Sequence, residues 1–272
     1  MMSATPFSIV LVTFNSSAVI GAALSSIPSG HQVIVVDNAS SDNSAEIADE
    51  YGVTVVRLDT NLGFGTACNR GADLARHERL LFLNPDADLE PEALDILGAA
   101  FDKYPHSAGF NPRLLNSDGT QFFRHRTMLM RRPYWRRPAL PLKDRPVVML
   151  SGAALAVRKQ VFDEIGGFDE AIFLFYEDDD ISVRILKAGY GLHYIHDSVV
   201  RHMQGKSSPA TPEMSSFRTY HAMRAKRYAM KKHRRPFFRW FRVLALSYRA
   251  MRYPQTSPKG SRARAHLKAL LE

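Results

Sequence analysis

Four short, nearly uninterrupted apolar runs punctuate the first 83 residues: 7–12 (FSIVLV), 33–36 (VIVV), 53–58 (VTVVRL) and 80–83 (LLFL). A strand solvated on one side alternates apolar with polar residues, whereas a continuous run marks a strand covered on both faces. Between the runs, 17–26, 44–51 and 66–75 read as helices, each with helix-start residues close by. Strand, helix, strand, helix at this spacing predicts an α/β fold with a doubly wound, mainly parallel sheet flanked by helices. Ligands of such sheets bind beyond the carboxyl ends of the strands. The residues at those ends are Thr13 and Asn15, Asp37 and Asn38, Asn61 with Gly63 and Gly65, and Asn84 with Asp86 and Asp88. Four strand ends delivering Asn and Asp to one edge predict a polar-ligand site.

Farther along, a helix is expected from 91 to about 104, and Ser117-Asp118-Gly119 should turn the chain between two short strands. Segment 124–146 is rich in Arg and Pro without periodicity, and reads as a mobile basic loop or a short irregular excursion. Regular structure should resume over 147–157, followed by a helix near 159–165 and a Gly166-Gly167 break. A second helix carries Ile181, Ile185 and Leu186 at helical spacing until Gly189 ends it.

Composition narrows the setting. At 272 residues and 45% hydrophobic, the chain can bury a substantial core, which excludes disorder throughout. A single cysteine, Cys68, excludes an internal disulfide and any multi-cysteine metal site. The run 7–12 is too short for a signal peptide or for a spanning helix of about 20 residues, so a cytoplasmic home is expected. Charge is divided unevenly: residues 1–200 hold 18 Lys+Arg against 25 Asp+Glu, whereas 201–272 hold 18 against 2. An acidic body with a basic tail predicts contact with a polyanion, either lipid headgroups or nucleic acid.

Within that tail, Phe237, Trp240, Phe241, Leu244, Tyr248 and Met251 fall on one helical face, with Arg239, Arg242, Arg249 and Arg252 on its flank and opposite side. A basic amphipathic helix with large aromatics predicts peripheral attachment to an anionic membrane surface. The competing reading is an ordinary helix packed on its own domain.

Three constellations carry chemistry. Leu83-Asn84-Pro85-Asp86-Ala87-Asp88 puts two carboxylates just past a strand, suited to Mg²⁺ or Mn²⁺, though a solvated turn would look the same. Tyr176-Glu177-Asp178-Asp179-Asp180 heads a helix with more carboxylates than capping needs, and their crowding favours a cation or a general base. His202 is either a metal ligand or a satisfied histidine after a strand. The Gly205-Lys206-Ser207 that follows is no phosphate loop, since the first glycine would fall at Val200. Gly63-Phe64-Gly65 matches a dinucleotide fingerprint poorly, with Cys68 at its third glycine, and fits close approach to a sugar or phosphate as well.

In order along the chain stand V-T-F-N (12–15), V-D-N-A-S-S-D (36–42), N-L-G-F-G-x-x-x-N-x-G (61–71), L-N-P-D (83–86), S-G-A (151–153), G-G-F-D-E (166–170), Y-E-D-D-D-I-S-x-R-I-L-K-A-G-Y (176–190) and H-x-x-G-K-S (202–207). This series resembles the family 2 glycosyltransferases of GT-A fold, and among them the bacterial rhamnosyltransferases of cell-envelope polysaccharide assembly. The resemblance covers 7 to about 207. It implies a catalytic domain over 1–207, with a donor half to about 104 and an acceptor-side half from 105, followed by the basic helical tail 208–272. It further implies an inverting transfer from a nucleotide-activated sugar, best dTDP-rhamnose, to a glycan or lipid-linked acceptor on the inner face of the cell membrane. Thr13, Asn15 and Asp37 would hold the nucleoside. Asn61, Gly63, Gly65, Asn69, Asn84 and Asp86 would line the donor. Asp86, Asp88 and His202 would hold Mg²⁺ or Mn²⁺, with Asn84 standing where relatives more often carry Asp. Asp178 would be the base and Glu177 its catalytic neighbour. Two alternatives stay open: a UDP-sugar transferase of the same fold, and a protein without catalysis that binds nucleic acid through its tail. The transferase reading includes no nucleic-acid partner.

Overall fold

A computed structural model of the chain describes residues 6–130, 139–203, 211–237, 239–254 and 257–272. The four apolar runs are strands β1 (Phe7–Thr13), β2 (Gln32–Asp37), β3 (Thr54–Arg57) and β4 (Arg79–Leu83). Their continuity has the expected cause. In β1, Phe7, Ile9 and Leu11 enter one core layer and Val10 and Val12 the other; in β4, Leu81 and Leu83 oppose Leu80 and Phe82 in the same way. Helices α1 (Ile20–Ser25), α2 (Ser44–Glu50) and α3 (Phe64–Ala72) connect these strands. Cys68 is buried on α3.

After β4 come the three-residue strand β5 (Ala87–Leu89), helix α4 (Ala93–Lys103) and strand β6 (Ser107–Asn116). The predicted turn at 117–119 then leads into β7 (Gln121–Phe122), which pairs antiparallel with β6. The expected regular stretch 147–157 is in fact two strands, β8 (Arg145–Val147) and β9 (Ala154–Arg158), parted by an irregular segment containing Ser151-Gly152-Ala153. Hydrogen bonding explains the break. Gly152 and Ser151 direct their N–H groups to the side chains of Asp178 and Asn111 instead of to a neighbouring strand. Helix α5 (Lys159–Glu164), helix α6 (Glu177–Lys187) and strand β10 (Gly191–His202) complete the sheet domain.

The sheet runs β3-β2-β1-β4-β9-β6-β10-β5. Pairing is parallel through β3-β2-β1-β4 and between β6 and β10, while β9 lies antiparallel to both its neighbours. The carboxyl ends of β1, β2, β4 and β10 therefore share one edge with the start of β9. Short β5 folds back antiparallel on the end of β10, setting His202 opposite Ala87. Chain segments more than a hundred residues apart meet there.

Beyond residue 203 lie helices α7 (Pro212–Lys232), α8 (Arg239–Arg252) and α9 (Pro258–Leu271). No described helix is long and apolar enough to cross a membrane. The expected boundary near 207, with Gly205-Lys206-Ser207, lies outside the described residues, as do 131–138 of the basic segment. On the far side of that boundary, Ala225, Ala229 and Met230 of α7 pack against Ile172 and Val183 of the sheet domain.

Candidate active site

A cleft of about 450 Å³ opens at the shared edge of the strands, lined among others by Asn38, Asn61, Gly63, Asn84, Asp86, Glu177, Asp178 and His202. Asp86 sits in the turn after β4 with its side chain fully buried, and its Oδ1 lies 3.2 Å from His202 Nε2. Asn84 Nδ2 is 3.4 Å from the same ring nitrogen. The fold-back of β5 creates this meeting and fixes it with a backbone bond from Met203 N–H to the Asp86 carbonyl. Among the described residues no cluster of three or more His, Cys, Asp or Glu could hold a metal. The Asp86 carboxylate and the His202 imidazole could nevertheless supply two ligands to a divalent cation such as Mn²⁺, with phosphate oxygens and water in its remaining positions.

The first turn of α6 also lines the cleft, and there one carboxylate after another meets a different environment. Asp178 Oδ2 accepts from Arg124 Nη1 at 2.6 Å and from Gly152 N–H at 3.1 Å, and Oδ1 accepts from Asp179 N–H at 2.8 Å. A carboxylate offers about four acceptor positions, so one remains, on Oδ1. Arg124 also reaches Asp179 Oδ2 with Nη2 at 2.7 Å. Burial, and then the charge of Asp178, still push Asp179 up to about 6. Glu177 Oε2 is buried without a hydrogen-bond partner, and burial followed by repulsion from Asp178 pushes its carboxyl up to about 8. A carboxyl raised this far is mostly protonated at neutral pH and able to donate a hydrogen bond to a bound ligand. Asp180 leaves the cleft altogether: burial alone would raise it, but His233 at 2.7 Å and Lys232, with Arg184, hold it at about 2.

The predicted donor residues divide into two groups. Asn61 and Gly63 line the cleft beside Asn38, whose Nδ2 donates to Asn61 Oδ1 at 3.0 Å and whose Oδ1 accepts from Leu62 N–H at 2.8 Å. Gly63 has φ 87°, and a Cβ there would overlap the Phe173 carbonyl, so its close approach is to the protein's own backbone. Gly65 and Asn69 do not line the cleft. A Cβ on Gly65 would come within 3.0 Å of Phe168, and the Asn69 amide brackets the Phe168 backbone, accepting from its N–H at 2.8 Å and donating to its carbonyl at 2.9 Å. Their work is packing the loop 166–176 against α3.

Thr13, Asn15 and Asp37 stand at the same edge without entering this cleft. Thr13 and Asp37 are register partners, and Thr13 Oγ1 and Asp37 Oδ1 are buried without hydrogen-bond partners. Asn15, at φ 55°, uses its Oδ1 to accept from Ser41 N–H at 2.7 Å. Asp88, the third residue of the expected metal set, does not line the cleft. Ala87 and Leu89 fill the core on either side of it, which turns Asp88 to the opposite face of β5, outside the cleft. Burial, then Asp86 and Glu90, push its carboxyl above the ordinary range.

Sequence reasoning missed Arg124, and it missed Met214, Phe217 and Arg218 of α7, which also line the cleft. An arginine heading a basic segment was visible, but its partnership with residues 54 and 55 positions away was not.

The model of glycosyl transferase family 2 matches residues 8–166. A *Mycobacterium tuberculosis* N-acetylglucosaminyl-diphospho-decaprenol L-rhamnosyltransferase is 31% identical over 211 residues, covering 66% of this chain and 69% of the relative. The chain belongs to glycosyl transferase family 2. Solved structures agree at the level of the fold. *S. aureus* TarS 1–349 matches with a TM-score of 0.59 at 16% identity, over 98% of this chain and 90% of that one; against the longer TarS chain the coverage is 38%. Mannosyltransferase PcManGT from *Pyrobaculum calidifontis*, solved with GDP-Man and Mn²⁺, matches with a TM-score of 0.59 at 15% identity, over 99% and 73%. In this family 2 transferase with a rhamnosyltransferase relative, the start of the acidic turn and the Asp86–His202 pair line one cleft.

Proposed function

We propose that this chain is a metal-dependent, inverting glycosyltransferase that moves a sugar, L-rhamnose from dTDP-rhamnose in the preferred reading, onto a lipid-linked acceptor of envelope glycan synthesis. One observation carries the chemistry: Asp178 is held by three hydrogen bonds with a single acceptor position left, in a cleft that also contains Asp86 and His202. An acceptor hydroxyl bound at Asp178 Oδ1 attacks the anomeric carbon of the donor. The bond from that carbon to the diphosphate oxygen breaks, its electron pair leaves with the nucleoside diphosphate, and the hydroxyl proton passes to Asp178. Attack from the face opposite the leaving group inverts the centre. Glu177, protonated, has a hydrogen bond to offer a bound ligand and adds no charge to compete with Asp178.

Asp86 and His202 would hold Mg²⁺ or Mn²⁺, which when bound supplies positive charge to the departing diphosphate. The unpartnered oxygens of Thr13 and Asp37 support a nucleoside site at the neighbouring strand ends, because buried polar atoms normally find partners. The mycobacterial relative's name, an L-rhamnosyltransferase acting on a diphospho-decaprenol, supports both the sugar and the lipid-linked acceptor. The testing experiment is a panel of nucleotide sugars with Mn²⁺, read by thermal stabilisation and then by turnover. Selective stabilisation by dTDP-rhamnose supports the preferred donor. Stabilisation by UDP-sugars alone replaces it.

A further inference from the structure

Among the described side chains of helix α8, the apolar ones divide between a packed side and an outward side. Leu246 and Ala250, with Val243 beside them, pack into a cluster with Met223 of α7 and with Ala263, Ala269 and Leu270 of α9. Leu244, Tyr248 and Met251 are 69%, 58% and 80% exposed. At about 100° per residue these three fall within roughly 60° of one another, on the far side of the helix from Leu246 and Ala250. Of the six-residue face expected from the sequence, Phe237 is partly buried between two core clusters, and the side chains of Trp240 and Phe241 lie outside the described residues. Among the described side chains of that face, the fold leaves outward the stripe Leu244, Tyr248, Met251.

The chemistry around the stripe selects its partner. Residues 214–271 contain sixteen Lys and Arg and no Asp or Glu. Arg252 Nη1 donates to Tyr248 Oη at 3.1 Å, which sets a guanidinium at the polar tip of the stripe. Aliphatic side chains such as Leu244 and Met251 gain nothing from a polyanion in water, which disfavours nucleic acid. A second copy of the same face would bring like charges together. An interface between anionic headgroups and acyl chains satisfies both features at once.

We propose that α8 docks on an anionic lipid bilayer, seating Leu244, Tyr248 and Met251 at the headgroup–acyl boundary, with Arg252 and the surrounding basic residues on lipid phosphates. The dock is tied to the cleft through α7. Met214, Phe217 and Arg218 near its start line the cleft, Tyr220 and Met223 pack against α8 and α9, and Arg227 donates to the carbonyls of Ala269 and Leu270 at 3.2 and 3.3 Å. A bilayer holding α8 therefore also orients the cleft relative to its surface.

The test uses the full chain with vesicles of phosphatidylcholine alone or mixed with phosphatidylglycerol, and reads co-sedimentation, so it is independent of donor, acceptor and turnover. Wild type should bind the anionic vesicles selectively, more weakly as salt rises but with a residue that high salt does not remove. The double variant Leu244→Ser with Met251→Ser, both on exposed sites and checked for an unchanged melting temperature, should lower binding at least about tenfold and abolish the salt-resistant part. Equal and poor binding of wild type to both vesicle types overturns the proposal without reference to any variant. So does unchanged binding by a folded double variant, salt-dependent capture of DNA in place of vesicles, or a concentration-dependent dimer that the double variant dissolves.

Discussion

At the scale of single residues, the acidic turn of α6 separates adjacent carboxylates by giving each a different set of neighbours. Asp178→Asn keeps the shape and one acceptor oxygen but cannot take a proton, so turnover should fall at least about 10²-fold while donor binding stays near wild type; near-normal turnover would reassign the base. Glu177 leads to a prediction about stability. Its folded-state carboxyl is raised from 4.5 to about 8, so the native protein binds more protons than the unfolded chain between those values. Stability should therefore decline as pH rises from about 4.5 through about 8 on its account. Glu177→Gln, which mimics the protonated form, should raise Tm by at least about 3 °C at pH 8.5 and change it little at pH 4, as thermal melts would reveal. In the same cleft, Asp86→Ala and His202→Ala should each weaken Mn²⁺-dependent binding of nucleoside diphosphate in calorimetry, about tenfold or more. Asp88→Ala, on the other face of β5, should not. Metal dependence left intact in both of the first two variants would remove the cation from this site.

Elements were legible in proportion to how local their causes are. The strands at 7–12, 33–36, 53–58 and 80–83 announced themselves because burial on both faces leaves a continuous apolar run, and all four appear as β1 to β4. Strands β5 and β8, three residues each, carry too little pattern, yet β5 is the element that brings His202 to Asp86. The site followed the same rule. Asp86, Asp178 and His202, singled out from motif order, line one cleft, whereas the packing duty of Gly65 and Asn69 depends on Phe168, about a hundred residues away. Likewise, the acidic cluster gave no sign that Asp180 faces away from its neighbours to clamp α6 onto the end of α7. That clamp can be measured. Asp180 is lowered from 3.8 to about 2, so its contribution is complete above about pH 4 and lost as pH falls through about 2. His233→Ala should lower Tm at pH 7, by roughly 2–4 °C for each kcal/mol lost, and the difference from wild type should shrink in acid. An equal deficit at pH 7 and pH 2 would mean that packing, not the hydrogen bond to the Asp180 carboxylate, holds α7.

For the molecule as a whole, the uneven charge suggested an acidic catalytic body with a separable basic tail, but the tail is not one unit with respect to the cleft. Helix α7 forms part of the cleft wall through Met214, Phe217 and Arg218, and it is anchored by Asp180 and by the cluster around Ile172 and Val183. Helices α8 and α9 touch α7 around Tyr220 and Met223. Two truncations should therefore behave differently. Ending the chain after residue 235 keeps Lys232, His233 and the cleft wall, while removing the exposed stripe of α8 and the carbonyl partners of Arg227. Transfer to a short soluble acceptor should survive within about tenfold, at a lower Tm because buried apolar area around Met223 is lost. Transfer to an acceptor embedded in anionic vesicles should drop well beyond that factor, since the enzyme is no longer concentrated at the surface. Ending the chain after residue 203 removes α7 as well, so transfer to the soluble acceptor should also collapse. If this shorter chain folds, by circular dichroism, and still turns over the soluble acceptor at the rate of the 235-residue chain, α7 is a bystander to the cleft and the catalytic unit ends with β10.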